Sequence, residues 1–129
     1  MTQVSILTIT QYSRFYNLKL LYHMIQRQKY VQIKEWVIVE GSLEEILREK
    51  NIVNINEFIN EKMDKTDIEM RFIVPESIVP LSNLHNIGNY NCKGDIIVFM
   101  NDDDYYPPTQ VPNAVKIMTK YNHLIAGSS

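Results

Sequence analysis

Apolar residues along the chain form two kinds of pattern: short continuous runs, and longer stretches in which they recur every three to five positions. The continuous runs are apolar and mostly β-branched, which is typical of buried strands. Five segments have this pattern: residues 4–10, 36–39, 70–74, 95–100 and 123–127. The pattern therefore predicts five strands.

Helices are predicted between these strands, because apolar residues there repeat with the period of one helical face. The clearest stretches are about residues 15–28, residues 81–92 and a stretch from about residue 111. Ser42 and Glu45 have the spacing of a capping box, which predicts a further helix through Arg48. Gly94 stands where a helix C-cap is expected. The pattern of residues 51–67 is consistent either with one face of a helix or with an irregular segment of variable sequence.

The order of these elements indicates the fold class. Strands alternate with helices along the chain, which predicts an α/β fold with a mostly parallel sheet flanked by helices. No repeat, low-complexity segment or Gly/Ser linker interrupts the sequence, so residues 1–129 are expected to form a single domain. Ligands of such sheets bind beyond the carboxyl ends of the strands, so the loops at those ends are the candidate site.

Composition and charge narrow the classes of function. The formal net charge is −2 and Lys and Arg form no block, so neither nucleic acid nor an anionic membrane surface is an expected partner. No apolar run reaches the ~18 residues of a membrane span, and no basic segment precedes the first strand as in a signal peptide. Cys92 is the only cysteine, which favours a reducing, cytoplasmic location.

The strand at residues 95–100 leads into Asn101-Asp102-Asp103-Asp104, the segment with the strongest chemical signal. Three consecutive carboxylates repel one another, and a divalent cation would compensate, because hard cations prefer carboxylate and water oxygens. The apolar strand before the run and Pro107-Pro108 after it favour a preorganised metal site. A solvated acidic turn is the alternative, because Asp and Asn are common turn residues.

Four segments carry motifs in a fixed order: Thr10-Gln11-Tyr12-Ser13-Arg14, residues 37–42, His85-Asn86-Ile87-Gly88 and residues 88–108. The last of them contains a Lys-Gly-Asp step, an apolar strand, the acidic cluster, two tyrosines and two prolines. This ordered set resembles glycosyltransferase family 2, the inverting enzymes of the GT-A fold, whose DXD region corresponds to the last segment. The resemblance implies a Rossmann-like GT-A nucleotide-binding half that is incomplete relative to a full glycosyltransferase.

For the acidic run, the resemblance implies a metal site against the diphosphate of a nucleotide-sugar donor, expected to be a UDP-sugar. Asp103 lies five residues before Pro108 and matches the family's metal-coordinating carboxylate. Asp104 is expected to support the metal shell or to lie near the acceptor, and Asp102 matches the acid that approaches the ribose. The implied cofactor is Mn²⁺ or Mg²⁺.

For the nucleotide, the resemblance implies contacts from the other motifs. Thr10 and Tyr12 match the loop that cradles the base, although Tyr12 alone would equally suit a core position. Glu40 matches the acid that reads the base edge, and Asn86 matches the Asn of the family's Arg-Asn-x-Gly motif. Arg14 either contacts phosphate or is solvated.

The chain departs from the family pattern at several positions. Val39 precedes Glu40 where the family often has two acids, and Leu84 and His85 stand where it has basic residues, which affects how the diphosphate would be held. No residue can be nominated as the general base, which in the family lies well downstream of the acidic run. The acceptor-binding part is expected in a missing C-terminal region or a partner chain.

Two functions remain open on these observations. The first is an enzyme that transfers a sugar, with inversion, to a hydroxyl acceptor on a glycan, a protein or a lipid. The second is a module that binds donor and metal without independent transferase activity. A phosphatase-like protein is disfavoured because no carboxylate follows the first strand, and a dinucleotide-binding protein because no Gly-x-Gly-x-x-Gly follows it.

Overall fold

The computed structural model describes the backbone of residues 2–30 and 32–128, and the side chains within these ranges up to residue 119. The elements are β1 Val4–Thr10, a 3-10 helix Tyr12–Arg14, α1 Phe15–Gln26, β2 Ile33–Glu40, α2 Glu45–Lys62, β3 Glu69–Ile73, α3 Leu81–Asn91, β4 Ile96–Phe99 and α4 Gln110–Ser128. Strands and helices alternate, which confirms the predicted α/β class.

The four strands form one parallel sheet in the order β3-β2-β1-β4. Thr10 at the end of β1 is level with Glu40 at the end of β2, and Leu7 is level with Phe99 of β4. The chain moves outwards from β1 to β3 and then returns to the other side of β1. The strand order therefore reverses at β1, and the crevice between the ends of β1 and β4 is where such sheets bind ligands.

Apolar side chains cover both faces of the sheet. On one face, residues of α1, α2 and α4 pack with strand residues around the fully buried Trp36, whose Nε1 donates to Oγ1 of Thr8 over 2.9 Å. On the other face, Leu84 of α3 packs on Leu7 and Val37. Burial on both faces explains why β1 and residues 36–39 of β2 are mostly apolar rather than alternating.

The sequence predicts that Gly94 caps the C-terminus of a helix, and this prediction is wrong. Helix α3 ends at Asn91, Cys92 after it is extended, and no described glycine has a positive φ. A Cβ atom on Gly94 would lie 2.6 Å from the backbone nitrogen of Ser5. The residue is glycine because the chain entering β4 passes against β1, and its N–H donates to Oγ of Ser5 over 2.7 Å.

Two other predictions of secondary structure need correction. The predicted strand at residues 123–127 is wrong, because α4 runs through this segment; a short apolar run fits a strand or a helix equally well.

The capping box predicted at Ser42 and Glu45 is also wrong. The Ser42 hydroxyl accepts the backbone N–H of Tyr12 over 3.1 Å, and α2 begins at Glu45 without a side-chain cap. Helix α2 then extends to Lys62, so most of the ambiguous segment is helical.

Candidate functional site

Two loops meet where β1 and β4 end, and Asp102 joins them. Its Oδ2 accepts a hydrogen bond from Oγ1 of Thr10 over 2.9 Å, and its Oδ1 lies 3.2 Å from Nε of Arg14. Asp102 is only 3% exposed. Three residues that the sequence assigns to one site are therefore in direct contact at the crevice between the two strands.

The electrostatic state of Asp102 reflects this position. Burial raises the pKa of its carboxyl and is the largest influence, while the Thr10 hydroxyl and the Arg14 guanidinium lower the pKa and the neighbouring Asp103 raises it. The net effect is a raised pKa. Nε of Arg14 is buried and lies outside hydrogen-bonding geometry, so its contact with Asp102 is ionic in character.

The rest of the acidic run is held in place but open to solvent. The backbone N–H of Asn101 donates to the Tyr106 hydroxyl over 2.7 Å, and Nδ2 of Asn101 donates to Oδ2 of Asp104 over 3.2 Å. Asp103 and Asp104 are both exposed. Tyr106 is half-buried, and burial raises the pKa of its hydroxyl. The loop is thus anchored by Asp102 and Tyr106 and presents two carboxylates on its surface.

The exposed carboxylates bear on the predicted metal. Among the side chains that the structure describes, no group of three or more His, Cys, Asp or Glu residues could hold a metal ion by itself. Mg²⁺ in phosphate-binding sites needs only one or two protein carboxylates, with substrate phosphates and water completing its shell. Asp103 and Asp104 fit that second mode, because both are exposed on an anchored loop.

A second group of polar residues lies where β1 and β2 end. Glu40 is 2% exposed; its Oε1 accepts the backbone N–H of Ser42, and its Oε2 accepts Nδ2 of Asn51. Tyr12 is half-exposed, and Nζ of Lys50 lies 5.9 Å from the centroid of its ring. Sequence analysis missed Asn51 because it lies in the segment whose pattern was ambiguous.

Asn86 lies apart from these two groups. It is exposed on α3, on the sheet face opposite α1 and α2, and within the described part of the chain it forms no hydrogen bond with the other predicted site residues. The neighbouring His85 packs against Phe99 at the end of β4, with 4.8 Å between the ring centroids. The structure therefore brings Thr10, Arg14 and Asp102 together in one group and places Tyr12 and Glu40 in a second. The nucleotide-binding roles of these residues and of Asn86 stay predictions.

A cavity of about 380 Å³ lies between α1 and the acidic loop. Its walls are formed by Asn17, Leu20, His23, Met24, Arg27, Asp102, Asp103, Asp104 and Tyr105. Asp102, Asp103 and Asp104 therefore line both this cavity and the crevice between β1 and β4, whereas Tyr12 and Glu40 do not line the cavity.

Comparison with known proteins identifies the fold. Residues 79–129 match the model of Glycosyl transferase family 2. The structure is similar to S. aureus TarS 1-349, with a TM-score of 0.66 and 17% sequence identity, covering 93% of this chain and 33% of TarS 1-349. The same protein in complex with UDP-GlcNAc gives a TM-score of 0.65 and 18% identity, covering 93% of this chain and 32% of that one. No curated protein sequence matches significantly.

These similarities show that the chain shares the fold of the TarS structure, and they support the GT-A-like fold that the sequence predicts. The chain spans about a third of the length of the TarS structure it matches first. Helices in the described part of the chain include none that is both long and apolar enough to cross a membrane.

Proposed function

We propose that this chain is the donor-binding half of a metal-dependent, inverting glycosyltransferase that uses a UDP-sugar and a hydroxyl acceptor. The observation that carries the proposal is the contact of Asp102 with Thr10 and Arg14. It joins the ends of β1 and β4 at the point where α/β sheets bind ligands. The family match over residues 79–129 and the likeness to TarS in complex with UDP-GlcNAc support it.

Asp103 and Asp104 are the proposed metal ligands, with Mn²⁺ or Mg²⁺ as the ion. Their exposure leaves carboxylate oxygens accessible, and the hydrogen bonds of Asn101 with Tyr106 and Asp104 stabilise the loop. When bound, the ion would neutralise charge on the diphosphate leaving group. The residues of this chain would contribute two exposed carboxylates on the loop after β4.

The nucleotide is proposed to lie along the carboxyl edge of the sheet, from the corner of β1 and β2 to the acidic loop. Tyr12 would lie against the base and Glu40 would accept from its edge. Asp102 is almost fully buried, so it would reach a ribose hydroxyl by exchanging its contact with Thr10 or Arg14. Asn86 would contribute only if the diphosphate extends over α3.

Transfer also needs an acceptor site and a group that removes the acceptor proton. No general base can be assigned in this chain, and the acceptor contacts are proposed to come from further sequence or a partner chain. The alternative function is a module that binds donor and metal without transferring sugar. The two are distinguished by comparing turnover with binding for the same UDP-sugar.

Calorimetry of UDP binding with and without Mn²⁺ tests the proposal. Asp103→Ala is expected to remove most of the Mn²⁺-stimulated affinity, a loss of about 2 kcal/mol or more if a coordinated contact is deleted. Asp64→Ala is the matched control, because Asp64 is an exposed acid just beyond α2. Mn²⁺-dependent affinity that persists unchanged in Asp103→Ala would refute the assignment.

A further inference from the structure

The corner between β1 and β2 contains a buried amide that packing alone does not explain. Asn51 of α2 is 0% exposed, and its Nδ2 donates to Oε2 of Glu40. Its Oδ1 is buried and has no hydrogen-bonding partner among the described residues. An unpaired buried carbonyl costs free energy that an apolar side chain of similar size would avoid. The value of Asn51 must therefore lie in its contact with Glu40.

That contact fixes the orientation of the Glu40 carboxylate. The backbone N–H of Ser42 binds Oε1, and the Asn51 amide binds Oε2, so neither oxygen can rotate without losing a donor. A carboxylate has about four acceptor positions on its two oxygens. Two donors occupy two of these positions, and the others have no hydrogen-bond donor among the described residues. Because Glu40 is only 2% exposed, the edge of a base would have to enter the corner beside Tyr12 to reach them.

The surroundings of Glu40 suit a planar ligand. The Tyr12 loop is tied to the same corner, because the Tyr12 backbone N–H donates to the Ser42 hydroxyl over 3.1 Å. Nζ of Lys50, the neighbour of Asn51, lies 5.9 Å from the Tyr12 ring centroid. An aromatic ring, an oriented acceptor and a cation thus occupy one corner at the carboxyl edge of the sheet.

We propose that Asn51 is a positioning residue that sets Glu40 to accept the ring N–H of the donor's base, as at N3 of uracil. The inference rests on the proposed function and adds a source of base selectivity. Cytosine has an unprotonated ring nitrogen at the same position, and its lone pair would face the carboxylate. A site built around a hydrogen bond to its ligand strongly rejects an analogue that lacks the matching group.

The test is calorimetry of UDP and CDP, each with Mn²⁺, on the wild type, Asn51→Leu and Asn60→Leu. The wild type is expected to bind UDP at least about tenfold more tightly than CDP. Asn51→Leu should lose about tenfold in UDP affinity and less than about twofold in CDP affinity, because only uracil uses the oriented acceptor. Asn60→Leu, the same change at an exposed position of α2, should retain the wild-type ratio.

The ratio of the two affinities separates positioning from general damage, since a loosened fold would weaken both nucleotides alike. Thermal unfolding confirms that each variant is folded. Should Asn51→Leu fail to fold, Glu40→Gln replaces it and is expected to lower the same ratio. Equal affinities in the wild type, or equal losses in the variant, overturn the inference and leave the proposed function standing. Binding of neither nucleotide overturns both.

Discussion

Nε of Arg14 lies 3.2 Å from Oδ1 of Asp102, and this ion pair joins the loop after β1 to the loop after β4. The arginine was expected either to contact phosphate or to be solvated. In the structure the guanidinium partly offsets the burial of the carboxylate that anchors the acidic loop. Arg14 can therefore influence a ligand through Asp102.

Replacing Arg14 tests this relationship. Burial raises the pKa of Asp102 and Arg14 lowers it, so Arg14→Met should raise that pKa further. Asp102 would then become protonated at a higher pH than in the wild type, so the pH below which Mn²⁺-dependent UDP affinity falls should shift upward. UDP titrations at a series of acidic to neutral pH values provide the measurement. Arg14→Lys retains the charge and should restore most of the wild-type dependence of UDP affinity on pH. The same pH dependence in the wild type, Arg14→Met and Arg14→Lys would contradict the expectation.

Tyr12 is expected to serve binding rather than stability. Its side chain is half-exposed in the 3-10 helix after β1, at the edge where ligands bind. Tyr12→Ala should weaken UDP binding while leaving the melting temperature nearly unchanged. Tyr22→Ala provides the contrast, because Tyr22 is buried against Phe58 and its truncation should cost about 3–5 kcal/mol. A large fall in melting temperature with normal UDP affinity would mean that Tyr12 packs in the core.

Acid stability should depend on Glu35, which is buried at the start of β2. Burial raises the pKa of its carboxyl, but the Lys93 backbone N–H, the Ser5 hydroxyl and Arg71 lower it, and the net direction is downward. A carboxyl whose pKa is lower in the folded than in the unfolded state stabilises the fold. This stabilisation is fully present above the unfolded-state pKa and is lost as the pH falls through the folded-state pKa.

Glu35→Gln should therefore lower the free energy of unfolding by about 2–4 kcal/mol at pH 7. It should also flatten the decline in stability below about pH 4.5. Urea unfolding at neutral and acidic pH measures both effects. Glu69→Gln is the control, since Glu69 is an exposed and more distant partner of Arg71, at 3.7 Å. An equally steep acid decline in Glu35→Gln would assign the pH dependence to other carboxyls.

The isolated chain is expected to bind UDP with Mn²⁺ and to turn over a UDP-sugar slowly at most. In the proposed function the general base and the acceptor pocket lie outside this chain; without the base a factor of roughly 10²–10⁴ in rate is forfeited, and without the pocket the positional advantage is lost as well. Release of UDP in the presence of Mn²⁺ and candidate acceptors is the measurement. Acceptor-stimulated release at about 1 s⁻¹ or faster would show that the chemistry lies within these residues.

Most of the fold was predictable because the central strand β1 and most of β2 are buried on both faces. The predicted limits of β1 agree with the structure at both ends, since residues 4–10 are continuously buried and are followed by a polar loop. The strand predicted at residues 123–127 was wrong because the sequence of this segment does not distinguish a strand from a helix. It contains a short apolar run without a bounding proline, and helix α4 accommodates it as readily as a strand would.

The site was less predictable than the fold, because its contacts join residues distant in sequence. Motif order placed Thr10, Arg14 and Asp102 in one region, but the sequence contains no sign that they contact one another. Nothing in the sequence indicated a role for Asn51. It lies in a segment whose secondary structure was ambiguous, and only the structure shows that it contacts Glu40. Ser42 was assigned to a helix cap, whereas its hydroxyl binds the loop after β1.

The Thr10–Asp102 hydrogen bond spans 92 positions of sequence, and this has a consequence during biosynthesis. A nascent chain can form the β1–β2 pair early, but the acidic loop reaches Thr10 only after β4 has been translated and has paired with β1. Closing such a long loop is entropically unfavourable until strand contacts offset it. If the proposed function is correct, Mn²⁺-dependent binding of UDP would thus require a complete sheet. Ligand capture by ribosome-bound chains of increasing length would report when the fourth strand docks.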